Sequence, residues 1–165
     1  IIVKYSLLTS LVTIAYSMYT AFKIKNLPAG DKKMQEIAGA ISEGAKAYMK
    51  RQYATVVWVA SAIFLILVFT LGIPAAFSFA IGASASAFAG FVGMTVAVQS
   101  NSRTTEAAKK GLGPALYLAF QGGSVTGLLV ASLALFSIAL ILAVSQIYNF
   151  DPLTCLLYTS DAADE

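Results

Sequence analysis

Histidine is absent from this sequence, and there is one cysteine, Cys155. The first absence excludes imidazole metal sites and every triad that uses histidine as its base. The second excludes an intramolecular disulfide and leaves the redox compartment unread. Charge is scarce as well. Asp, Glu, Lys and Arg make up 12% of residues, against about a quarter in soluble domains. Acids are the rarer sign, eight against eleven basic residues. Proline occurs four times, so most of the chain is free of the residue that breaks helices.

What fills the space is apolar: 58% of residues are hydrophobic and the mean hydropathy is +0.77. A soluble domain of this length cannot hide so much apolar surface, because much of any small fold stays exposed. The solvent for most of the chain is lipid. Four uncharged apolar runs approach or exceed the ~20 residues that a helix needs to cross the hydrocarbon core. They span about 5–22, 53–71, 75–98 and 115–148. The last is longer than a span requires, so it should tilt or project. The predicted fold class is an all-α membrane protein with four transmembrane helices and one amphipathic cytoplasmic helical segment over 31–52.

The N-terminal end looks open and the C-terminal end foreign. The chain begins in mid-hydrophobic run at "IIVKYSLL" without an initiator Met, and no h-region with a cleavage site follows Lys4. It reads as a fragment whose native part is residues 1–154. The stretch "CLLYTSDAADE" (155–165) is similar to the translation of a sequencing-library transposase adapter. The codons TGT-CTC-TTA-TAC-ACA-TCT-GAC-GCT-GCC-GAC reproduce Cys155 through Asp164 in register. On that reading Cys155 is not native. Five native acids remain: Asp31, Glu36, Glu43, Glu106 and Asp151.

Basic residues set orientation. The first connection carries Lys23, Lys25, Lys32, Lys33, Lys46, Lys50 and Arg51; the third carries Arg103, Lys109 and Lys110. The Gly72–Pro74 connection has none. The bias predicts that connections 23–52 and 100–113 are cytoplasmic and that the N-terminus is outside or lumenal.

Within the first connection, Met34, Ile37, Ile41, Ala45 and Tyr48 recur at helical spacing. Asp31 is a candidate N-cap after the Pro28-Ala29-Gly30 breaker. Glu43 and Lys46 are spaced to pair at i, i+3. This helix should run on into the second span, either lying at the headgroups or docking its apolar face on other helix ends. In "SNSRTTEAAKKGLGP" (100–114) the third helix is expected to continue through Lys110. Arg103 and Glu106 are spaced to pair, Lys109 and Lys110 suit the last turn, Gly111 and Gly113 end the helix, and Pro114 opens the next. Gly82, Ser86 and Gly90 form a small-residue row with Ala83 and Ala87 alongside, and Gly123 and Gly127 form a GxxxG. Such rows let helix backbones approach closely in lipid.

No constellation of catalytic chemistry is present. "GLGP" lacks the Lys-Ser/Thr of a phosphate loop, and "GAISEG" lies in a helix without a histidine. None of the four spans holds a charged residue of the kind ion pathways use. No catalytic, cofactor-binding or metal-binding residue is assigned to this chain, which reads as scaffold.

Two segments carry a family resemblance. "EIAGAISEGAKAYMKRQY" (36–53) resembles the sequence that enters the second helix of membrane-bound, ion-translocating pyrophosphatases. "GASASAFAGFVGMTVAVQSNSRTTEAAKKGLGPALYLAFQGGSVTGLLV" (82–130) is similar to that family's third and fourth helices. Its N-x-R-T-x-x-A-A core matches at Asn101, Arg103, Thr104, Ala107 and Ala108, with Gly93-Met94 and "AFQGGSVTG" (119–127) as further matches. The resemblance covers about residues 30–145. It implies a homodimeric primary pump, each subunit a bundle of about sixteen helices. The pump hydrolyses inorganic pyrophosphate with Mg²⁺, in some cases with K⁺, and moves H⁺ or Na⁺ across the cell inner membrane or an acidic organelle membrane. The family's aspartate-rich motifs and ion gate come from later helices, so this part belongs to the outer ring, partnered by the remaining helices, a second subunit and lipid, with no nucleic acid. Rival readings are a piece of a secondary transporter or channel, and a small four-helix assembly subunit.

Overall fold

The computed structural model describes residues 2–148; Asp151 and the adapter-like stretch 155–165 lie outside the described residues. Four helices account for nearly all of it: α1 (Ile2–Lys25), α2 (Lys32–Thr70), α3 (Ile73–Ala108) and α4 (Leu112–Tyr148). No strand occurs among the described residues. Each helix is long and apolar enough to cross a membrane.

Length separates the helices into two kinds. α1 has 24 residues, while α2, α3 and α4 have 39, 36 and 37. At 1.5 Å per residue the longer three reach about 55 Å, well beyond the ~30 Å of hydrocarbon. They therefore project past it. The connections place the ends of α1 and α3 and the starts of α2 and α4 together. We call this the charged end, since it gathers ten of the eleven basic residues.

α3 and α4 form the central pair; α1 packs mainly on α4 and touches α3, and α2 packs on α3. At the meeting point of α1, α3 and α4, Ile24, Val96 and Val125 form a buried cluster, with Ala21 and Val92 against it. Small side chains make the approach close. A Cβ built at Gly93 would lie 2.8 Å from Thr126 Cγ2, and one at Gly122 would lie 2.6 Å from Ser100 Oγ. The α3–α4 contact thus uses Gly93 and Gly122. The expected GxxxG does not: Gly123 and Gly127 have nothing within 4 Å of a built Cβ. Gly122 shares a buried face with Val125 and Leu129, whereas Gly123 and Gly127 are turned outward.

Several buried hydroxyls on the packed faces are satisfied within their own helices, whereas Ser100 Oγ, pressed against Gly122, has no hydrogen-bond partner among the described residues. Buried Ser10 and Ser17 of α1 donate to the Leu7 and Thr13 carbonyls, and buried Ser132 and Ser137 of α4 donate to Leu129 and Leu133. Back-bonding of this kind lets a hydroxyl sit in an apolar contact without an unmet donor.

The helix ends correct several expectations. α2 does begin after Asp31, whose carboxylate accepts from the Met34 amide at 2.9 Å, a capping interaction. It continues unbroken from Lys32 to Thr70, so the amphipathic segment extends the span rather than turning flat. Its inner face is Met34, Ala38, Ala45 and Met49, all partly buried; Ile37, Ile41 and Tyr48 are about half exposed or more. Of the apolar stripe read from the sequence, Met34 and Ala45 lie on this inner face, while Ile37 and Ile41 edge a small groove against Val98 and Thr105 of α3. Glu43 and Lys46 form no ion pair among the described residues. α3 ends at Ala108, two residues before Lys110. There the Lys109, Lys110 and Gly111 amides bond to the carbonyls of Glu106, Ala107 and Ala108, a tightening to i→i−3 bonds that closes a last turn. Gly111 follows at φ 119°, a conformation favoured by glycine. α4 then starts at Leu112, with Gly113 inside it and Pro114 at its third position. Proline is tolerated there because first-turn amides have no partner in the helix.

Candidate functional site

The densest polar structure stands at the charged end, where the links between helices converge. α1 stops at Lys25, and its last carbonyls lack donor partners within the helix. Arg103, seven residues beyond Val96 on α3, fills that need. Its Nη2 donates to the Lys25 carbonyl at 2.6 Å, its Nε to Leu27 at 3.2 Å and its Nη1 to Gln99 at 2.8 Å. One planar fork thus binds the end of α1 to α3. Only a guanidinium offers donors in that geometry. Partial burial lowers the Arg103 pKa from its ordinary value, yet the group stays charged because that value is so high.

A second tie lies just outward. Lys109 Nζ sits 3.3 Å from Asp31 Oδ2 and 2.7 Å from Glu106 Oε2. The Glu106 contact is an ion pair lying off the axis of a directed hydrogen bond. Lys109 thereby joins the start of α2 to the end of α3. The Met34 amide and then Lys109 hold the Asp31 carboxyl below its usual range, while Glu106 and then Asp31 hold the Lys109 ammonium above its own. Gly30 makes room beneath. Its φ is 93°, and a Cβ there would meet Met34 Sδ at 2.6 Å and Glu106 Oε2 at 3.2 Å. Gln35 Nε2 donates to the Gly30 carbonyl at 2.7 Å and secures the link.

The expected Arg103–Glu106 pair is therefore not formed. Arg103 turns to the backbone of α1, and Glu106 turns to Lys109. Sequence reasoning missed the tie from Arg103 to α1. Its signal was present: an arginine in the N-x-R-T segment, with Lys25 and Leu27 at a helix end needing donors.

Of the five carboxylates considered, Asp31 and Glu106 are brought together around Lys109. Glu36 and Glu43 stand exposed along α2. Among the described residues no three His, Cys, Asp or Glu side chains gather where a metal could be held. What the site can do chemically is join helices: it fixes α1, α2 and α3 to one another with charge-assisted bonds.

Comparison with known proteins gives the family. The family model for inorganic H+ pyrophosphatase matches residues 11–159; its last five residues overlap the adapter-like stretch. A K(+)-insensitive pyrophosphate-energized proton pump of Methanosarcina mazei is 47% identical over 130 residues, 78% of this chain and 19% of its own length. A putative K(+)-stimulated pyrophosphate-energized sodium pump of Clostridium tetani is 38% identical over 126 residues, 76% of this chain and 19% of its own length. A K(+)-stimulated pyrophosphate-energized sodium pump of Thermotoga maritima is 35% identical over 136 residues, 81% of this chain and 19% of its own length. The chain spans about 19% of the length of these relatives. With most of its residues matched and its helices membrane-spanning in length and composition, the chain belongs to the inorganic H+ pyrophosphatase family.

Proposed function

We propose that this chain is the N-terminal, outer-ring scaffold of a primary pump that couples hydrolysis of inorganic pyrophosphate to translocation of H⁺ or Na⁺. The observation that carries this reading is the family match over residues 11–159, reached by relatives named as pyrophosphate-energized proton and sodium pumps. The structure supports the scaffold part of the reading through the charged end. There Arg103 and Lys109 hold three helices in register, leaving their outer faces available to further helices and a second subunit. The excess of basic residues at that end supports a cytoplasmic placement for it, in a multi-pass protein of a cell inner membrane or acidic organelle membrane.

Magnesium, the cation that the family implies, does not fit the described residues of this chain. Hard divalent cations take several oxygen ligands. Here Asp31 and Glu106 face an ammonium, Glu36 and Glu43 lie along one exposed helix, and no three such groups gather among the described residues. The magnesium cage, the site of any K⁺ and the ion gate belong to helices other than these.

The test is phosphate release from Mg-pyrophosphate by the purified chain, with aminomethylene-diphosphonate as a control for contaminating enzyme. The chain should insert into membranes and release no phosphate. Turnover abolished by Glu36→Gln or Glu43→Gln would contradict the scaffold reading and place catalysis on α2.

A further inference from the structure

The unbroken α2 helix carries cations directly above an apolar groove. Its residues 53–70 are uncharged and at 1.5 Å each cover about 27 Å, close to the hydrocarbon thickness. Arg51 and Lys50 therefore stand at the hydrocarbon boundary, Arg51 turned to another face of the helix, with Lys46 one turn outside Lys50. Both lysines are exposed, and neither has an ion pair among the described residues. Lys46, Lys50, Val57, Ser61 and Phe64 follow at spacings of four, seven, four and three, which puts them on one face of the helix. The inner part of that face lines a lateral groove of about 400 Å³ against α3, walled by Val57, Phe64, Phe79 and Ala83. Val57 is 61% exposed beside it. Phe64, in its wall, also makes an edge-to-face contact with Phe77, centroids 6.1 Å apart.

We propose that this groove binds the acyl chain of an anionic phospholipid whose phosphate is held by Lys46 and Lys50. Charge decides the occupant. The carboxylates among the described residues are Asp31, Glu36, Glu43 and Glu106. Asp31 and Glu106 are engaged with Lys109. Glu43 lies a turn farther out on α2 and forms no pair with Lys46, and Glu36 lies farther still. α1, α3 and α4 offer no acid at this depth. Two cations at the membrane boundary, over an apolar slot that opens sideways, match a phosphate above a hydrocarbon tail. Basic clusters beside membrane helices attract anionic lipids for this reason. An apolar helix seated in the groove would instead leave both ammonium groups without a counter-charge. The inference requires only that α2 and α3 cross a bilayer and holds whether or not the chain belongs to a working pump.

Trp58 reports on the lipid beside the groove, which it adjoins without lining. It is the chain's one tryptophan, adjoins Val57 and is 79% exposed. The full chain is reconstituted in vesicles that mix phosphatidylcholine with phosphatidylglycerol, one or the other brominated on its acyl chains. Brominated phosphatidylglycerol should quench Trp58 with a relative association constant on the order of tenfold above that of brominated phosphatidylcholine at low salt. The double variant Lys46→Gln/Lys50→Gln should bring the ratio near one, and Lys32→Gln/Lys33→Gln, which removes equal charge elsewhere, should leave it unchanged. Should the first double variant not fold, each single Lys→Gln change should lower the ratio part of the way. Equal quenching by the two lipids overturns the proposal, as does a preference that survives both the double and single changes. Loss of the preference on adding inorganic phosphate assigns the cations to a soluble anion and also overturns it. Weak quenching by both lipids means that another helix covers the groove, and overturns it as well.

Discussion

Replacing Arg103 with methionine keeps most of the apolar stem and removes the donor fork that ties α1 to α3. Two of its three bonds, to Lys25 and Leu27, cross between segments, while the third returns to Gln99 within α3. A hydrogen bond to a charged group contributes about 1.5–3 kcal/mol, so two set a ceiling of about 3–6 kcal/mol. The carbonyls at the end of α1 are open enough for water to replace the lost donors, because Lys25 is exposed and Leu27 only partly buried. That lowers the expected cost to about 2 kcal/mol, or roughly 30-fold in the docking equilibrium of the last α1 turn. Arg103→Lys should recover less than half, since an ammonium cannot span the two carbonyls as a planar fork does. The assay is amide hydrogen exchange on the full chain in micelles, read over residues 20–27 and compared with the α2–α3 hairpin around Leu67. Protection should fall in the first region and hold in the second. Unchanged exchange over 20–27 in the methionine variant would refute the reasoning, and so would an equal rise in all four helices.

Gly93→Val should destabilise the chain by about 1–3 kcal/mol or more through overpacking, because a Cβ there already meets Thr126 at 2.8 Å. Gly123→Val and Gly127→Val, at open positions, should leave the thermal midpoint in detergent nearly unchanged. The tie of Asp31 to Lys109 should depend on pH at both extremes. Asp31 has a folded pKa below 3.8, so its contribution is present above that value and is lost as pH falls through the folded one. Lys109 has a folded pKa above 10.5, so its contribution is full below that value and is lost as pH rises through the folded one. Spin-label distances between positions 33 and 112 should stay constant from about pH 5 to 10 and broaden outside that window, and Asp31→Asn should remove the acid limb. With Cys155 changed to serine, single cysteines at 32 and 109 should react with an impermeant reagent from the face opposite to a cysteine at 73. Labelling of 73 and 109 from the same face would contradict the four-span arrangement.

Features governed by neighbours along the chain were legible in the sequence. The four apolar runs became four helices because hydropathy and length act locally, and Asp31 became a cap because the breaker and the start of α2 adjoin it. The features missed depend on which helix stands beside which. Arg103 is spaced to pair with Glu106, but its shortest contact is to a carbonyl 78 positions away in sequence. The arginine and the open helix end are visible in the sequence, but only the α1–α3 approach shows that they meet. Glycines 122, 123 and 127 offer overlapping small-residue patterns, and only the position of Ser100 across the contact selects Gly122. On α2 the apolar spacing marks Met34 and Ala45 of the inner face but passes over Ala38 and Met49, because the bulkier Ile37, Ile41 and Tyr48 at its edge weigh more in an apolar count. No catalytic chemistry was legible in the sequence, and among the described residues no three His, Cys, Asp or Glu side chains gather.

The claim that this chain is the scaffold of a pyrophosphate-driven pump is tested most directly by transplanting it. Residues 11–148 would replace the corresponding segment of the Methanosarcina mazei pump, which is 47% identical to the chain over 130 residues. Pyrophosphate hydrolysis and acidification would then be followed together in inverted vesicles. The account predicts that the chimera hydrolyses pyrophosphate and acidifies the vesicles, and that Arg103→Met in the transplanted segment weakens both by lowering the amount of folded pump. A chimera that inserts and folds with the parent's thermal stability, yet neither hydrolyses pyrophosphate nor moves protons, would contradict it.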